Sequence, residues 1–313
     1  MKSLNNRAKA VFDSAVKSEC DLHVRRKTVH DANVIDFGIS AHGGLSAGLK
    51  LARICTSGLA SINFGSSVAG WEGPSVSVHT DWPIAACMAS QYAGWQIATD
   101  DYFAMGSGPM RAANGSEPLF SDIGCTESPE HVVGVLESSS LPTKMAIDLI
   151  AEKCKVTPNQ ISLALAPTAS QAGNVQVVAR SVETALHKMH ELGFDLTRIE
   201  SGYGVAPLPP VAKDDLAGIG RTNDSILFGG SVTIWVRGDD ESLANIVDKL
   251  PSSASNDFGR PFREVFAAYD HDFYKIDKHL FSPAQIMLCN LDTGNSFAAG
   301  QLHPELVRES FLG

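Results

Sequence analysis

The sequence predicts a mixed α/β fold of two lobes, and three observations carry that expectation. Apolar residues recur at two periods, three-to-four and two, in segments that alternate along the chain. Short runs that are almost wholly apolar, such as "ISLALAP" at 161–167, read as buried strands feeding helices, the order that builds strand–helix–strand units. The length of 313 residues suits two lobes, although one elaborate domain could also hold it. We therefore expect an N-terminal lobe over 1–195 and a C-terminal lobe over 196–313, with approximate limits that allow one lobe to be discontinuous.

The elements follow in order. Leu4, Ala8, Val11, Phe12 and Ala15 trace one stripe behind Ser3, an N-cap residue type, and predict an N-terminal helix. Residues 22–37 read as extended, "GGLSAGLKLARIC" as a helix, and "ASINFG" and "PSVSVHT" as strands. "WPIAACMASQYAGW" predicts a helix with Pro83 near its first turn. "YFAMGSGPMRAANGSEP" is rich in Gly, Pro and Ser and reads as mostly loop. "EHVVGVLES" is a strand, and "LPTKMAIDLIAEKC" a helix with Met145, Leu149 and Ile150 on its apolar face. In "VQVVARSVETALHK", 175–188, Val175, Val178, Val182, Ala185 and Leu186 mark the apolar face of one helix. Its other face carries Gln176, Arg180, Glu183 and His187 within about 60° of one another. The passage 196–224, with "GYGVAPLPPVAKDD", is the best candidate for an interlobe connection, although a sheet could be completed across it. "SILFGGSVTIWVRG" suggests two strands broken at Gly229-Gly230, and "ESLANIVDKL" a short amphipathic helix ended by Pro251.

Composition narrows the function. Hydrophobic residues at 44% and charged residues at 19% are ordinary for a soluble globular chain. A net charge of −10 argues against a nucleic-acid binder, which needs a basic surface for phosphates. No run approaches a membrane span, and the N-terminus lacks the apolar core of a signal peptide. The six cysteines are scattered without C-x-x-C, which fits reduced thiols in the cytoplasm rather than a disulfide framework or zinc site. "YDHDFYKIDKHLFSPA" contains His271 in an H-x-D pair, too little for a metal, and we expect none.

Two small-residue segments have the composition of ligand loops. In "PTASQAGN", Thr168, Ser170 and Gly173 lie between an apolar strand and a helix start, where free N–H groups favour an anion. A plain strand-to-helix connection with an Asn N-cap explains the same residues. In "AMGSGPMRAANG", Gly106, Ser107 and Gly108 permit close backbone approach, and Arg111 could hold a carboxylate or phosphate. It is neither a Walker A loop nor a dinucleotide fingerprint. Asn223 and Asp224, and Ser253, Ser255 and Asp257, offer polar contacts but are also common turn formers. No G-x-S-x-G occurs, so carboxylates, arginines and backbone dipoles are the available tools, suited to water addition or proton transfer.

Together, "YFAMGSGPMRA", "PTASQAGNVQVVARSVETALHK", "GRTNDSILFGG", "LPSSASNDFGRPF" and "YDHDFYKIDKHLFSPA" resemble the methenyltetrahydromethanopterin cyclohydrolases, over most of the chain. The resemblance implies two α/β lobes enclosing a pocket between them, a homotrimer, and no cofactor, with tetrahydromethanopterin as the substrate carrier. It implies an enzyme interconverting 5,10-methenyl- and 5-formyl-tetrahydromethanopterin with water, in the C1 metabolism of methanogenesis or formaldehyde oxidation. The family's catalytic Arg and Glu, three apart on one helix, fall on Arg180 and Glu183, so their stripe would face a pocket rather than bulk water. The two small-residue loops, with Asn223 and Asp224 as weaker candidates, would contact the pterin or its tail. Two alternatives stay open: a non-catalytic pterin-binding protein, and a cyclohydrolase for the folate analogue. Against the latter, no G-x-G-x-x-G of a fused dehydrogenase is present.

Overall fold

A computed structural model of the chain describes residues 3–270 and 272–313; His271 of the H-x-D pair lies outside them. Helix α1 (Leu4–Lys17) is capped by Ser3 Oγ, which accepts from Asn6 N at 3.4 Å. The Glu127 carboxylate takes the next two free amides, Leu4 N and Asn5 N, at 3.0 and 2.8 Å. Strands β1 (Arg25–Val29) and β2 (Ala32–Asp36) make a hairpin. Its two turn residues, His30 and Asp31, both hold positive φ (47° and 67°), the turn geometry that matches strand twist. There follow α2 (Leu45–Cys55), β3 (Ser61–Gly65), β4 (Ser75–Thr80), a π-helical segment (Ile84–Gln91), β5 (Trp95–Thr99) and β6 (Tyr102–Ser107). Short helices α3 (Met110–Asn114) and α4 (Leu119–Ile123) each end on a left-handed glycine, Gly115 and Gly124. Next come β7 (Val132–Glu137), α5 (Lys144–Cys154) behind its Thr143 cap, β8 (Ile161–Ala166), α6 (Gln171–Val178), α7 (Ser181–Glu191) and β9 (Ile199–Pro207). The chain finishes with α8 (Asp215–Gly229), β10 (Ser231–Val236), α9 (Asp240–Val247), α10 (Phe262–Ala268), β11 (Gln285–Asn290), β12 (Ser296–Gly300) and α11 (Pro304–Leu312).

These elements form two compact units, the first made of Met1–Ala60 and Ala85–Gln176, the second of Ser61–Ile84 and Val177–Gly313. The first holds a six-stranded sheet in the order β1-β2-β8-β7-β6-β5, with β2, β8 and β7 parallel. Apolar residues cover both of its faces. Val133, Val135 and Ala164 join Phe12, Leu51 and Ile54 on one side, while Leu136, Leu163 and Leu165 join Met110, Ile147 and Ile150 on the other. A doubly covered strand has no polar face, which is why "ISLALA" reads as an unbroken apolar run. The second unit holds a six-stranded sheet in the order β12-β11-β10-β9-β4-β3, in which only β10 and β11 are parallel. Its helices close over an aromatic cluster of Phe228, Phe262, Phe266 and Phe311.

The mixed α/β class and most strands agree with expectation, but five local readings change. The boundary expected at 195/196 falls inside the second unit: residues 177–195 and the β3–β4 hairpin both pack there, across long stretches of sequence. Residues 102–114 are strand and helix rather than loop. β6 pairs with β5 and β7, and its Gly106 leaves room for the Trp95 carbonyl, 2.9 Å from where a Cβ would sit. α5 buries Ala146, Ile147, Ile150 and Cys154, leaving Met145 47% exposed. The 196–224 passage is more than a connection: after a 3-10 turn (Leu196–Arg198) it runs as β9, a central strand pairing with β10 and β4, so the sheet is completed across it, the alternative that the sequence left open. "SILFG" ends α8 instead of forming a strand. Its polar neighbours hid the helix because Thr222 Oγ bonds Gly218 O (2.8 Å) and Asn223 Nδ2 bonds Ile219 O (2.8 Å), so both side chains are absorbed within the helix.

Candidate active site

The helix expected over 175–188 is two helices. α6 ends at Val178, and Arg180 stands as the N-cap of α7, its N–H bonded to Val177 O (3.1 Å) while its carbonyl accepts from Thr184 N (2.9 Å). The 100°-per-residue stripe is therefore not one continuous face: Gln176 belongs to the first unit, Arg180 and Glu183 to the second. Arg180 is only 7% exposed and Glu183 only 4%, so neither is a solvated surface charge. Glu183 occupies the first turn of α7, where free N–H groups favour an anion.

Two glycines of β9 set α7 against the sheet. A Cβ on Gly202 would lie 2.7 Å from Val182 Cγ1, and one on Gly204 2.4 Å from Ser181 Oγ, so only hydrogen atoms fit beneath the turn that carries Arg180 and Glu183. Gly204→Ala is expected to cost about 1–3 kcal/mol through overpacking, seen as a lowered thermal midpoint; an unchanged midpoint would show that the turn shifts freely. Farther along α7, Lys188 is fully buried and donates from Nζ to the His279 carbonyl. Burial lowers its pKa to about 8, against the opposing pull of Asp277. Asp277 itself accepts from Ser255 Oγ (2.7 Å) and His279 N (3.0 Å) and supplies its N–H to Asp257 Oδ2 (3.0 Å). The Ser255 and Asp257 side chains are thus part of the loop that Lys188 anchors.

In the first unit, the loop after β8 is a cap. Ser170 Oγ donates to Pro167 O (2.7 Å) and accepts from Gly173 N (3.0 Å). Gly173 is required there, because a Cβ would meet the Pro167 carbonyl at 2.0 Å. Thr168 is buried beside it. The cap therefore comes from Ser170, not from Asn174. The neighbouring strand end, Asp36, gathers the amides of Gly38, Ile39, Ser40 and Ala41 and the Ser40 hydroxyl. Burial opposes its ionisation, yet these donors outweigh it and lower the pKa to about 2. Ser107 lies elsewhere in this unit, 3.3 Å from Cys55 Sγ, which also receives Gln176 Nε2 at 3.5 Å. Gly108 holds φ 86° and packs over Gly134, a conformation and a contact that suit glycine.

Three candidates turn out to be occupied by structural bonds. Arg111 is fully buried, donating from Nε and Nη2 to Glu117 (2.8 and 2.5 Å) and from Nη1 to Met88 O (3.0 Å), with its guanidinium over the rings of Tyr92 and Phe120. Asn223 is bonded within its own helix as described above. Asp224 accepts from Phe262 N (2.8 Å) and Ser310 Oγ (2.6 Å), tying α8 to α10 and α11. Desolvation outweighs those bonds and raises its pKa to about 7. A carboxyl that stays protonated longer in the fold than in the unfolded chain stabilises fully below about pH 4 and loses that contribution as pH rises through about 7. Asp224→Asn, which keeps the shape and one of the two acceptor oxygens, should therefore gain in melting temperature relative to wild type between pH 4 and 7. A constant difference across that range would show that Asp224 does not titrate there.

Among the described residues, no three His, Cys, Asp or Glu side chains are grouped to hold a metal, and no helix is long and apolar enough to cross a membrane. A family model described as "Cyclohydrolase (MCH)" matches residues 3–311, spanning both units. The methenyltetrahydromethanopterin cyclohydrolase of Rhodopirellula baltica is 43% identical, over 98% of this chain and 94% of its own length. That of Methylobacillus flagellatus is 47% identical over 90% and 86%, and that of Methanococcoides burtonii 42% identical over 99% and 98%. The chain belongs to the methenyltetrahydromethanopterin cyclohydrolase family. Arg180 and Glu183 stand at a helix start that sequence periodicity placed in mid-helix. Gly202, Gly204 and Lys188, which hold that helix in place, escaped the sequence reading. The glycines looked like linker, and nothing in a lone lysine on a helix announces burial; the small-residue alternation "SGYGVAP" was the available signal.

Proposed function

We propose that the chain interconverts 5,10-methenyl-tetrahydromethanopterin plus water and 5-formyl-tetrahydromethanopterin, with Glu183 as general base and then acid and Arg180 as its positioning cation. The relatives' names supply the reaction. The observation that carries the residue assignment is the withdrawal of Arg180 and Glu183 from solvent at the start of α7. The methenyl carbon, bonded to N5 and N10 in a cationic amidinium ring, is electrophilic. Water attacks it while one water proton passes to Glu183, and the tetrahedral carbon then expels N10, which takes that proton back from Glu183. The second water proton leaves as the formyl C=O forms, so the cation and water give neutral amide and amine groups and one released proton. Positioned proton transfer of this kind contributes about 10²–10⁴-fold in rate. Arg180 favours the ionised carboxylate before attack.

The small-residue loops, Gly106–Gly108 and the Thr168–Gly173 turn, are retained as contacts to the pterin or its tail. The enzyme is read as cytoplasmic, cofactor-independent and a homotrimer. The test is the ultraviolet absorbance of methenyl-tetrahydromethanopterin with purified protein and no added cofactor. Rapid loss supports the reading; binding without loss would leave a non-catalytic pterin-binding protein, and loss only with the folate analogue would reassign the carrier.

A further inference from the structure

A cavity of about 390 Å³ opens in the first unit between the start of α1 and the turn that follows α2. It is lined by Asn6, Arg7, Ala10, Val11, Ser57 and Gly58, and it shares no residue with the candidate active site. Arg7, Val11 and Ser14 recur at spacings of four and three, so they lie on one face of α1. That face meets α2 and its exit turn. A Cβ on Gly58 would stand 3.1 Å from Val11 Cγ2, and Lys50 Nζ donates to Ser14 Oγ at 3.1 Å. Arg7 Nε is closed off from solvent and has no hydrogen-bond partner. Among the described residues, no carboxylate pairs with Arg7, Lys50 or Arg53. Acids of this region are already engaged: Asp13 pairs with Lys9, and Glu127 takes the amides of Leu4 and Asn5.

We propose that this cavity binds the phosphate or carboxylate group of a small molecule, with the Arg7 guanidinium as its principal donor. A solvated arginine keeps its N–H groups in water, and a structural one pairs them, as Arg111 does with Glu117. Arg7 does neither at Nε, and a buried N–H without an acceptor is rare in folded proteins. The planar guanidinium offers parallel N–H groups spaced for two oxygens of either anion. Asn6 adds an exposed carboxamide at the rim. Ser57 gives the anion no proton. Ser90 Oγ donates its single hydrogen to Cys55 O (2.6 Å), so the Ser57 hydroxyl must donate to Ser90 Oγ (2.8 Å). The first amides of α1 are equally spent, on Ser3 and Glu127, which leaves recognition to side chains. Farther along the same seam, burial and then the like charge of Arg53 lower the Lys50 pKa. Positive charge left uncompensated in a chain of net charge −10 draws anions to this seam. The cavity volume falls in the range of small-molecule pockets, and its concave floor of Ala10, Val11 and Gly58 suits a metabolite-sized body.

Arginine-selective labelling of the full chain with phenylglyoxal, read peptide by peptide by mass spectrometry, tests the site. The probes are inorganic phosphate and acetate, at an ionic strength held constant with chloride. Arg25, exposed on β1, is the internal reference for half-buried Arg7. A saturating anion should slow modification of Arg7 about tenfold relative to Arg25. Protection by phosphate alone, by acetate alone or by both supports the site and assigns the anionic group of its ligand. A ratio of Arg7 to Arg25 labelling that neither anion changes overturns it. Arg7→Gln gives an independent reading. Phosphate should raise the thermal midpoint of wild type and of the control Arg25→Gln alike, and that of Arg7→Gln by less. Equal shifts in all three overturn the assignment to Arg7. If circular dichroism shows that Arg7→Gln does not fold, the labelling of wild type decides alone.

Discussion

Glu183→Gln is expected to lower kcat for methenyl hydrolysis by about 10²–10⁴-fold with little effect on folding. The substitution keeps the shape of a side chain that is 4% exposed, and removes both the proton acceptor and the charge. Its stability cost includes the loss of an anion in the first turn of α7, about 0.3–1 kcal/mol. Initial rates from the ultraviolet decay, measured beside a thermal melt, separate the two effects. A variant melting like wild type but slowed a thousandfold places the proton transfer on Glu183. A variant within threefold of wild-type kcat would move the acid/base to another group while leaving the reaction in place. Arg180→Lys is the companion measurement, because it retains a cation but loses the planar fork of donors.

Arg111→Ala is expected to act on stability first. Its guanidinium is completely buried between Tyr92 and Phe120 and forked onto Glu117. Removing the guanidinium leaves the Glu117 carboxylate, only 14% exposed, without its counter-charge, which costs up to about 3–5 kcal/mol. Two ring contacts disappear as well, each worth about 0.5–1 kcal/mol or more when desolvated. For a chain of this size the loss corresponds to a fall in melting temperature of roughly 10 °C. The KM of the protein that remains folded should be close to wild type. This reverses the emphasis of the sequence reading, in which Arg111 could hold a carboxylate or phosphate of a ligand. An unchanged melting temperature with a raised KM would restore the substrate role.

The contrast between these residues shows what a sequence carries by itself. Periodicity and turn chemistry, which are local, identified α1 with its Ser3 cap, the β3–β4 and β7–β8 strands, and the α/β class. The polar set on 175–188 was legible as an anomaly, because charged residues at helical spacing beside apolar ones must face water or something that replaces it. The family resemblance named the reaction.

Long-range packing decided the rest. Gly202 and Gly204 looked like linker because their role is measured in ångströms to Ser181 and Val182, some twenty residues earlier. The same packing ends α6 before Arg180 and starts α7 there, where helical spacing alone extrapolates one straight helix. Arg111 and Asp224 read as ligand-binding types because Arg and Asp bind ligands in general. Only the fold supplied the Glu117 carboxylate, the Met88 carbonyl, the Phe262 amide and the Ser310 hydroxyl that already occupy them. The sequence alone determined the local conformational preferences, the family and the kind of chemistry on offer. Which polar groups are spent inside the fold and which remain for a substrate was decided by tertiary structure, since a buried charge takes its partner from wherever the chain happens to return.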